Sequence, residues 1–271
     1  MKIVFWNIAK NDLSSELEIL ADEINPDILL LAETEMSIGS ILTAINKKSV
    51  DYFFNNDPVC EKIKMFSKFN DKYVRPIKSN LRYSVREINI PTYQKFNLMC
   101  LHYQSKVNWD FADQAAHSVE LNSIITDFEE TTESTHTLLI GDFNMNPFDF
   151  GMVQTTGLHS VMSKEIALKK YRIVDGKEYP FFYNPMWSFY GDNGLGTVNG
   201  TIYNTLSKPI NYFWNIFDQV LIRPDLIKYV EDDKIEIITK LNSETPLLKK
   251  SNLIDGSISD HLPISVIIKN K

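Results

Sequence analysis

A chain of 271 residues, 44% of them apolar and 23% charged, can bury a sizeable core, and no run approaches the roughly 18 consecutive apolar residues of a membrane span. The net charge of −7 argues against a protein coated along nucleic acid by clustered Lys and Arg. It does not exclude a nuclease, because a bound metal ion brings its own positive charge to the phosphate.

Residues 2–6 and 27–32 read as short buried strands, with Leu13, Leu17, Leu20 and Ile24 on one face of a helix between them and Pro26 ending that helix. Strand, helix, strand predicts a parallel pair whose carboxyl ends share one sheet edge. Asn7 and Glu33 follow those ends, where open α/β sheets bind ligands. The first strand begins without a preceding apolar leader or cleavage site, which predicts a cytoplasmic rather than a secreted protein. Cys60 and Cys100 are too few for a disulfide framework and read as reduced core thiols.

Residues 51–54, 61–67, 81–90 and 96–103 read as further strands in an antiparallel run that ends at His102. Residues 110–130 form the next helix, with Asp110 as its cap and Ala112, Ala115, Ala116, Val119, Ile124 and Phe128 as its apolar stripe. Residues 136–140 are a buried strand delivering Asp142 and Asn144 into a loop, and Asn146-Pro147 blocks its continuation. Residues 179–214 are rich in aromatics, glycine and proline and read as short strands and long loops. Residues 217–222, 234–239 and 263–268 close the chain as strands, with 242–255 as a surface loop. There is no repeat, linker or low-complexity tract, so 1–271 is expected to be a single domain.

Five short patterns set carboxylate, amide or imidazole groups beside apolar runs: Trp6-Asn7, Ala32-Glu33-Thr34, Gly141-Asp142-Phe143-Asn144, Phe217-Asp218-Gln219 and Ser259-Asp260-His261-Leu262-Pro263. That inventory suits a hard divalent metal and a phosphate ester. Asp142 and Asn144, two apart, project to the same side, although four such residues alone fit an Asx turn equally well. Asp260-His261, before a proline-started strand, presents two polar heads at a sheet edge, and histidine serves as donor, acid or base near neutral pH. Glu33 ends the run 28–32, where a buried carboxylate calls for compensation that a metal would give. Glu35 reads as solvated, and His117, His136 and His159 have no motif partner.

Taken in this order, the motifs resemble the endonuclease/exonuclease/phosphatase superfamily, from Asn7 to His261. The resemblance implies a four-layer α/β sandwich, two mixed sheets packed face to face with helices on both outer faces. It implies phosphoester hydrolysis with Mg²⁺ or Mn²⁺, by in-line attack of an activated water. Carried over residue by residue, Glu33 holds the metal, with Asn7 and Asp260 supporting it directly or through water. Asp142 activates or orients the water, Asn144, His102 and His261 contact the phosphoryl oxygens, and Asp218 orients His261. Two positions depart from family patterns. Glu35 stands where abasic-site endonucleases carry lysine, and Cys100 stands where asparagine usually precedes the histidine at His102. Lys106 offers a further phosphate contact.

The resemblance leaves the ester open. A nuclease acting on DNA or RNA is expected first. A small-molecule phosphatase or phosphodiesterase, acting on a nucleotide, an inositol phosphate or a phospholipid head group, is the alternative, and an inactive binding module is the least favoured. Asn184-Pro185-Met186-Trp187 and the aromatics around it lie where the family has substrate-shaping loops, and fit a stacking surface or a core rim equally well.

Overall fold

β1 (Lys2–Asn7) and β2 (Ile28–Ala32) are apolar at nearly every position and almost wholly buried, as strands covered on both faces must be. They pair in parallel, with Asn7 opposite Ala32. The helix between them runs over Ser14–Ile19 and widens into a π-turn over Leu20–Ile24. It stops at Asn25, which takes left-handed backbone (φ 52°) before Pro26. The computed structural model describes residues 1–49, 51–105 and 109–271.

The remaining main strands are β3 (Phe53–Phe54), β4 (Ile63–Ser67), β5 (Val74–Asn80), β6 (Tyr83–Ile88), β7 (Phe96–His102) and β8 (Thr137–Asp142), with Asp218–Ile222 and Ile264–Ile267 later in the chain. Six strands form one mixed sheet in the order Glu236–Ile237, Ile264–Ile267, β1, β2, β4, β3. Seven form a second, in the order β5, β6, β7, β8, Asp218–Ile222, Phe182–Tyr183, Ser160–Val161. The expected antiparallel run over 51–103 is therefore divided between the sheets. It also contains β5, which the sequence reading passed over. β5 is a polar edge strand with Pro76 at a bulge, and an edge strand shows no continuous apolar run.

Alternation along β7 assigns its two faces. Phe96, Leu98 and Cys100 enter the core shared with the first sheet, while Met99 and Leu101 pack outward against Leu121, Ile125 and Phe128 of the helix Phe111–Thr131. The helices Ser14–Ile19 and Ile38–Ile45 bury Leu17, Ile41 and Ile45 in the core of the first sheet. The architecture is the expected α/β sandwich of two mixed sheets with helices around them.

Asp110 caps the long helix as expected, in a reciprocal capping box with Asp113. Its buried face is not the expected stripe, however. Gln114, Ser118, Leu121, Ile125 and Phe128 point inward, while Ala112 and Val119 are exposed. Gln114 occupies the buried face because the carbonyls of Gln104 and Asn144 need a donor, while Ser118 donates to the Gln114 carbonyl of its own helix, and of the expected stripe Phe128 alone is fully buried. Among the described residues no helix is long and apolar enough to cross a membrane.

Candidate active site

The motif residues converge where strands of both sheets end. The β7–β8 ladder sets His102 opposite Asp142, and the β8 ladder with Asp218–Ile222 sets Asp142 opposite Asp218. Gly141 makes this junction possible, because a Cβ there would lie 2.0 Å from the Leu101 carbonyl oxygen.

Asn7 joins the two sheets. Its Nδ2 donates to Glu33 Oε1 (3.3 Å) and to Asp142 Oδ2 (3.2 Å), and its Oδ1 accepts from the Ala9 N–H (3.1 Å). Asn7 thus draws two carboxylates together by its nitrogen, with its oxygen turned to backbone. His102 Nε2 lies 3.1 Å from Glu33 Oε1 and 3.6 Å from Asp142 Oδ2. Its Nδ1 is buried without a partner among the described residues. His261 Nδ1 meets Asp218 Oδ2 at 2.8 Å, which leaves Nε2 as the ring's free position.

Asn144 takes left-handed backbone (φ 52°) so that its N–H reaches Asp142 Oδ1 at 2.8 Å. Its Nδ2 donates to the Tyr103 carbonyl (3.0 Å), and Gln114 Nε2 donates to the carbonyls of Asn144 and Gln104 (both 3.0 Å). Glu33 is also left-handed (φ 50°). Such backbone is uncommon outside glycine and collects at functional sites.

Asp260 is exposed beside His261, and Glu35 is solvated as expected, 3.8 Å from Lys10 Nζ. Lys106 lies outside the described residues. The other histidines are bound elsewhere. His117 faces Glu120 (3.3 Å), His136 is half-buried beside Tyr229, and His159 Nδ1 contacts the carbonyls of Tyr179 and Pro180 (both 3.1 Å).

Several supporting residues had no role in the sequence reading. Ser259 Oγ donates to the Asn7 carbonyl (2.7 Å) and accepts from the His261 N–H (3.1 Å), while Trp6 Nε1 donates to the His261 carbonyl (3.0 Å). Thr201 Oγ1 accepts from the N–H groups of Phe217 (3.2 Å) and Asp218 (3.1 Å). Trp6 and Ser259 stood inside the motifs. Thr201 and Gln114 had no signal beyond their residue type.

The electrostatics follow from this packing. The hydrogen bond from His102 pulls the Glu33 carboxyl down to about 2, against burial. Burial pushes Asp142 upward, partly offset by the charge on His261. Burial opposes a charged His261, but Asp218, with help from Asp142 and Asp260, outweighs it and raises the imidazole to about 10. Asp142, Asp218 and His261 bring ligand atoms within 4.8 Å of one another. Glu33, Asp142 and Asp218 set three carboxyl groups around this imidazole, and Asp218 Oδ1 is buried without a partner among the described residues. This excess of hard oxygen donors fits a divalent cation. Asp218 is already committed to His261 Nδ1, so Glu33, with Asp142 beside it, is the carboxylate suited to hold the ion.

The aromatic segment borders this edge. Phe148 sits among Trp187 (6.1 Å between ring centroids), Tyr190 (5.7 Å) and Tyr212 (5.1 Å). Tyr190 Oη donates to Asn146 Oδ1 (2.5 Å), which also accepts from the Ile216 N–H (3.0 Å). Trp187 is half-buried, and its Nε1 has no partner among the described residues.

No protein-family model and no curated protein sequence matches the chain. Solved structures do. The D. rerio TDP2 complex with a single-strand DNA product is 17% identical with a TM-score of 0.54, over 98% of this chain and 97% of that one. The endonuclease domain of TRAS1, a telomere-specific non-LTR retrotransposon, is 13% identical with a TM-score of 0.55, over 98% and 97%. The human Nocturnin catalytic domain, with a bound sulfate anion, is 12% identical with a TM-score of 0.54, over 100% and 94%. The chain shares its fold with these structures, and at these identities the likeness is one of fold alone.

Proposed function

We propose that the chain is a divalent-cation-dependent phosphodiesterase, with residues 1–271 as one catalytic domain. The observation that carries the proposal is the convergence of Glu33, Asp142, Asp218, His102 and His261 at one sheet edge, with Asn7 bridging Glu33 and Asp142.

When bound, Mg²⁺ or Mn²⁺ would polarise a phosphoryl oxygen and offset its charge. Glu33 would hold the ion, with Asp260 acting through water and Asn7 fixing the carboxylate. In this reading the carboxyl of Asp142, pushed upward by burial, accepts a proton from water as the water oxygen bonds to phosphorus. The bond from phosphorus to the leaving oxygen breaks as that bond forms. Imidazolium His261, oriented by Asp218, donates from Nε2 to the oxygen that gains charge. His102 and Asn144 add donors for the phosphoryl oxygens. Cys60 and Cys100, both buried and unbridged, support retaining a reducing, cytoplasmic setting.

Two substrate classes have support. Nucleic acid, the first expectation, is supported by the likeness to TDP2 bound to a DNA product and to the TRAS1 endonuclease domain. A phospholipid head group is favoured by an apolar hairpin beside His261, Ile202–Tyr203 against Trp214–Asn215, whose one charged residue is Lys208. The core chemistry is tested by incubating the protein with bis(p-nitrophenyl) phosphate, with and without added Mg²⁺ or Mn²⁺. Cation-dependent release of p-nitrophenol is expected, and equal rates in excess chelator would refute the proposal.

A further inference from the structure

Residues 193–217 carry a single charged residue, Lys208, in a chain of which 23% is charged. Their central part is a hairpin, Ile202–Tyr203 against Trp214–Asn215. It is anchored at the candidate site. Ile202 bridges to His261, and the Leu262 N–H donates to the Thr201 carbonyl at 2.8 Å. The tip satisfies much of its own backbone, since the Asn204 N–H donates to the Phe213 carbonyl (2.9 Å) and Asn211 Nδ2 to the Leu206 carbonyl (3.0 Å). Its apolar side chains face solvent instead. Leu206, Ile210, Tyr212 and Phe213 are 55%, 70%, 53% and 51% exposed. Tyr212 reaches Phe148, which joins the tip to Trp187.

Clustered exposure of this kind marks a surface that is covered when it works. A nucleic-acid backbone is a poor occupant, because phosphate tracking needs several Lys or Arg where Lys208 is the only cation, and Leu206 and Ile210 have no π-face on which a base could stack. Tyr and Trp beside aliphatic side chains, with one lysine and no acid, is the composition that seats at a membrane–water interface. The neighbouring site adds a second constraint. A bilayer presents an apolar layer to the tip and, directly above it, a layer of phosphate diesters to the site.

We propose that the hairpin 202–215 docks the protein on a phospholipid bilayer and delivers phospholipid head groups to the site containing His261. The proposal rests on the phosphodiesterase reading and selects between its substrate classes.

The test uses the full chain with Mg²⁺, phosphatidylcholine vesicles, single-stranded DNA and bis(p-nitrophenyl) phosphate. The parent is compared with a Leu206→Ser, Ile210→Ser double variant, whose altered side chains are exposed. The parent should float with vesicles and release phosphocholine, leaving diacylglycerol, or choline, leaving phosphatidic acid. The variant should lose about tenfold or more in both vesicle binding and lipid hydrolysis, while its rate on the soluble diester stays within about twofold. Equal vesicle binding by the two proteins, or no binding by the parent, would overturn the proposal. So would a variant that keeps vesicle binding and loses DNA cleavage. If vesicle binding depends on the hairpin but no diester is hydrolysed, the docking surface stands and the phosphodiesterase reading falls.

Discussion

Asp142 and Asp218 oppose each other directly on neighbouring antiparallel strands, both wholly buried, and one imidazole lies against the pair. Asp218 is committed to His261 Nδ1 at 2.8 Å, which leaves Asp142 to face the incoming water. Asp218→Asn should therefore misorient the imidazole, lowering kcat by on the order of a thousandfold or more, while the affinity for Mn²⁺ in calorimetric titration stays near the parent's. Comparable loss of Mn²⁺ binding in Asp218→Asn and Glu33→Gln would show that the two roles have been exchanged.

Glu33→Gln preserves side-chain volume and leaves an oxygen for the donors on Asn7 and His102, but removes the hard anionic ligand. Activity with Mg²⁺ should vanish while urea denaturation shows a stability loss of no more than about 1–2 kcal/mol. Retained cation-dependent turnover would exclude Glu33 as the principal ligand.

Among the glycines Gly141 has the least room for change, since a methyl group would strike the Leu101 carbonyl at 2.0 Å. Gly141→Ala must separate β7 from β8 where His102 faces Asp142. We expect a stability loss of about 3 kcal/mol or more, with activity lost in parallel. A variant with a parental urea midpoint would mean that the two strands yield more easily than their packing suggests.

Burial holds the His159 imidazole below its ordinary pKa despite its contacts with the Tyr179 and Pro180 carbonyls. The unfolded chain then binds the proton more readily than the folded one. The resulting stability is present above about pH 6.5 and is lost as pH falls through the lowered folded value. His159→Gln should flatten the fall in thermal midpoint between about pH 7 and pH 5 relative to the parent. Parallel curves would assign the acid sensitivity to other groups.

Trp187 separates substrate contact from packing. If its ring meets the substrate, Trp187→Ala should raise KM in proportion to a lost contact of roughly 1–3 kcal/mol. The thermal midpoint should stay within a few degrees of the parent's, and the rate on bis(p-nitrophenyl) phosphate should be nearly unchanged. A steep fall in thermal midpoint would instead make its contact with Phe148 a structural one.

Much of the architecture was legible because buried strands write themselves as apolar runs. β1, β2, β7 and β8 each end in a polar motif residue or immediately before one, so their convergence follows from a parallel arrangement. The helix Phe111–Thr131 was legible in extent and cap but not in orientation, because Gln114 turns inward toward the Asn144 carbonyl, a partner distant in sequence. β5 was lost because an edge strand is half solvated. The left-handed backbone of Glu33 and Asn144, and the Thr201 hydroxyl beneath Asp218, depend on tertiary context that residue type does not announce. The apolar hairpin lies in the segment that the sequence marks only as rich in aromatics, glycine and proline, and its pairing and exposure became evident only in three dimensions.

The clamp in which Ser259 and Trp6 tie His261 to β1 spans a separation of 252 residues for the Ser259–Asn7 bond. Ile264–Ile267 lies along the opposite edge of β1 from β2. During synthesis β1 is made long before Ile264–Ile267 and must wait with that edge unpaired until the later strand has followed. Folding should accordingly be slow and exposed to aggregation in its early stages. No nascent fragment ending before His261 could bring that imidazole to Asp218, so the order of translation itself withholds the cluster until this late segment has been made.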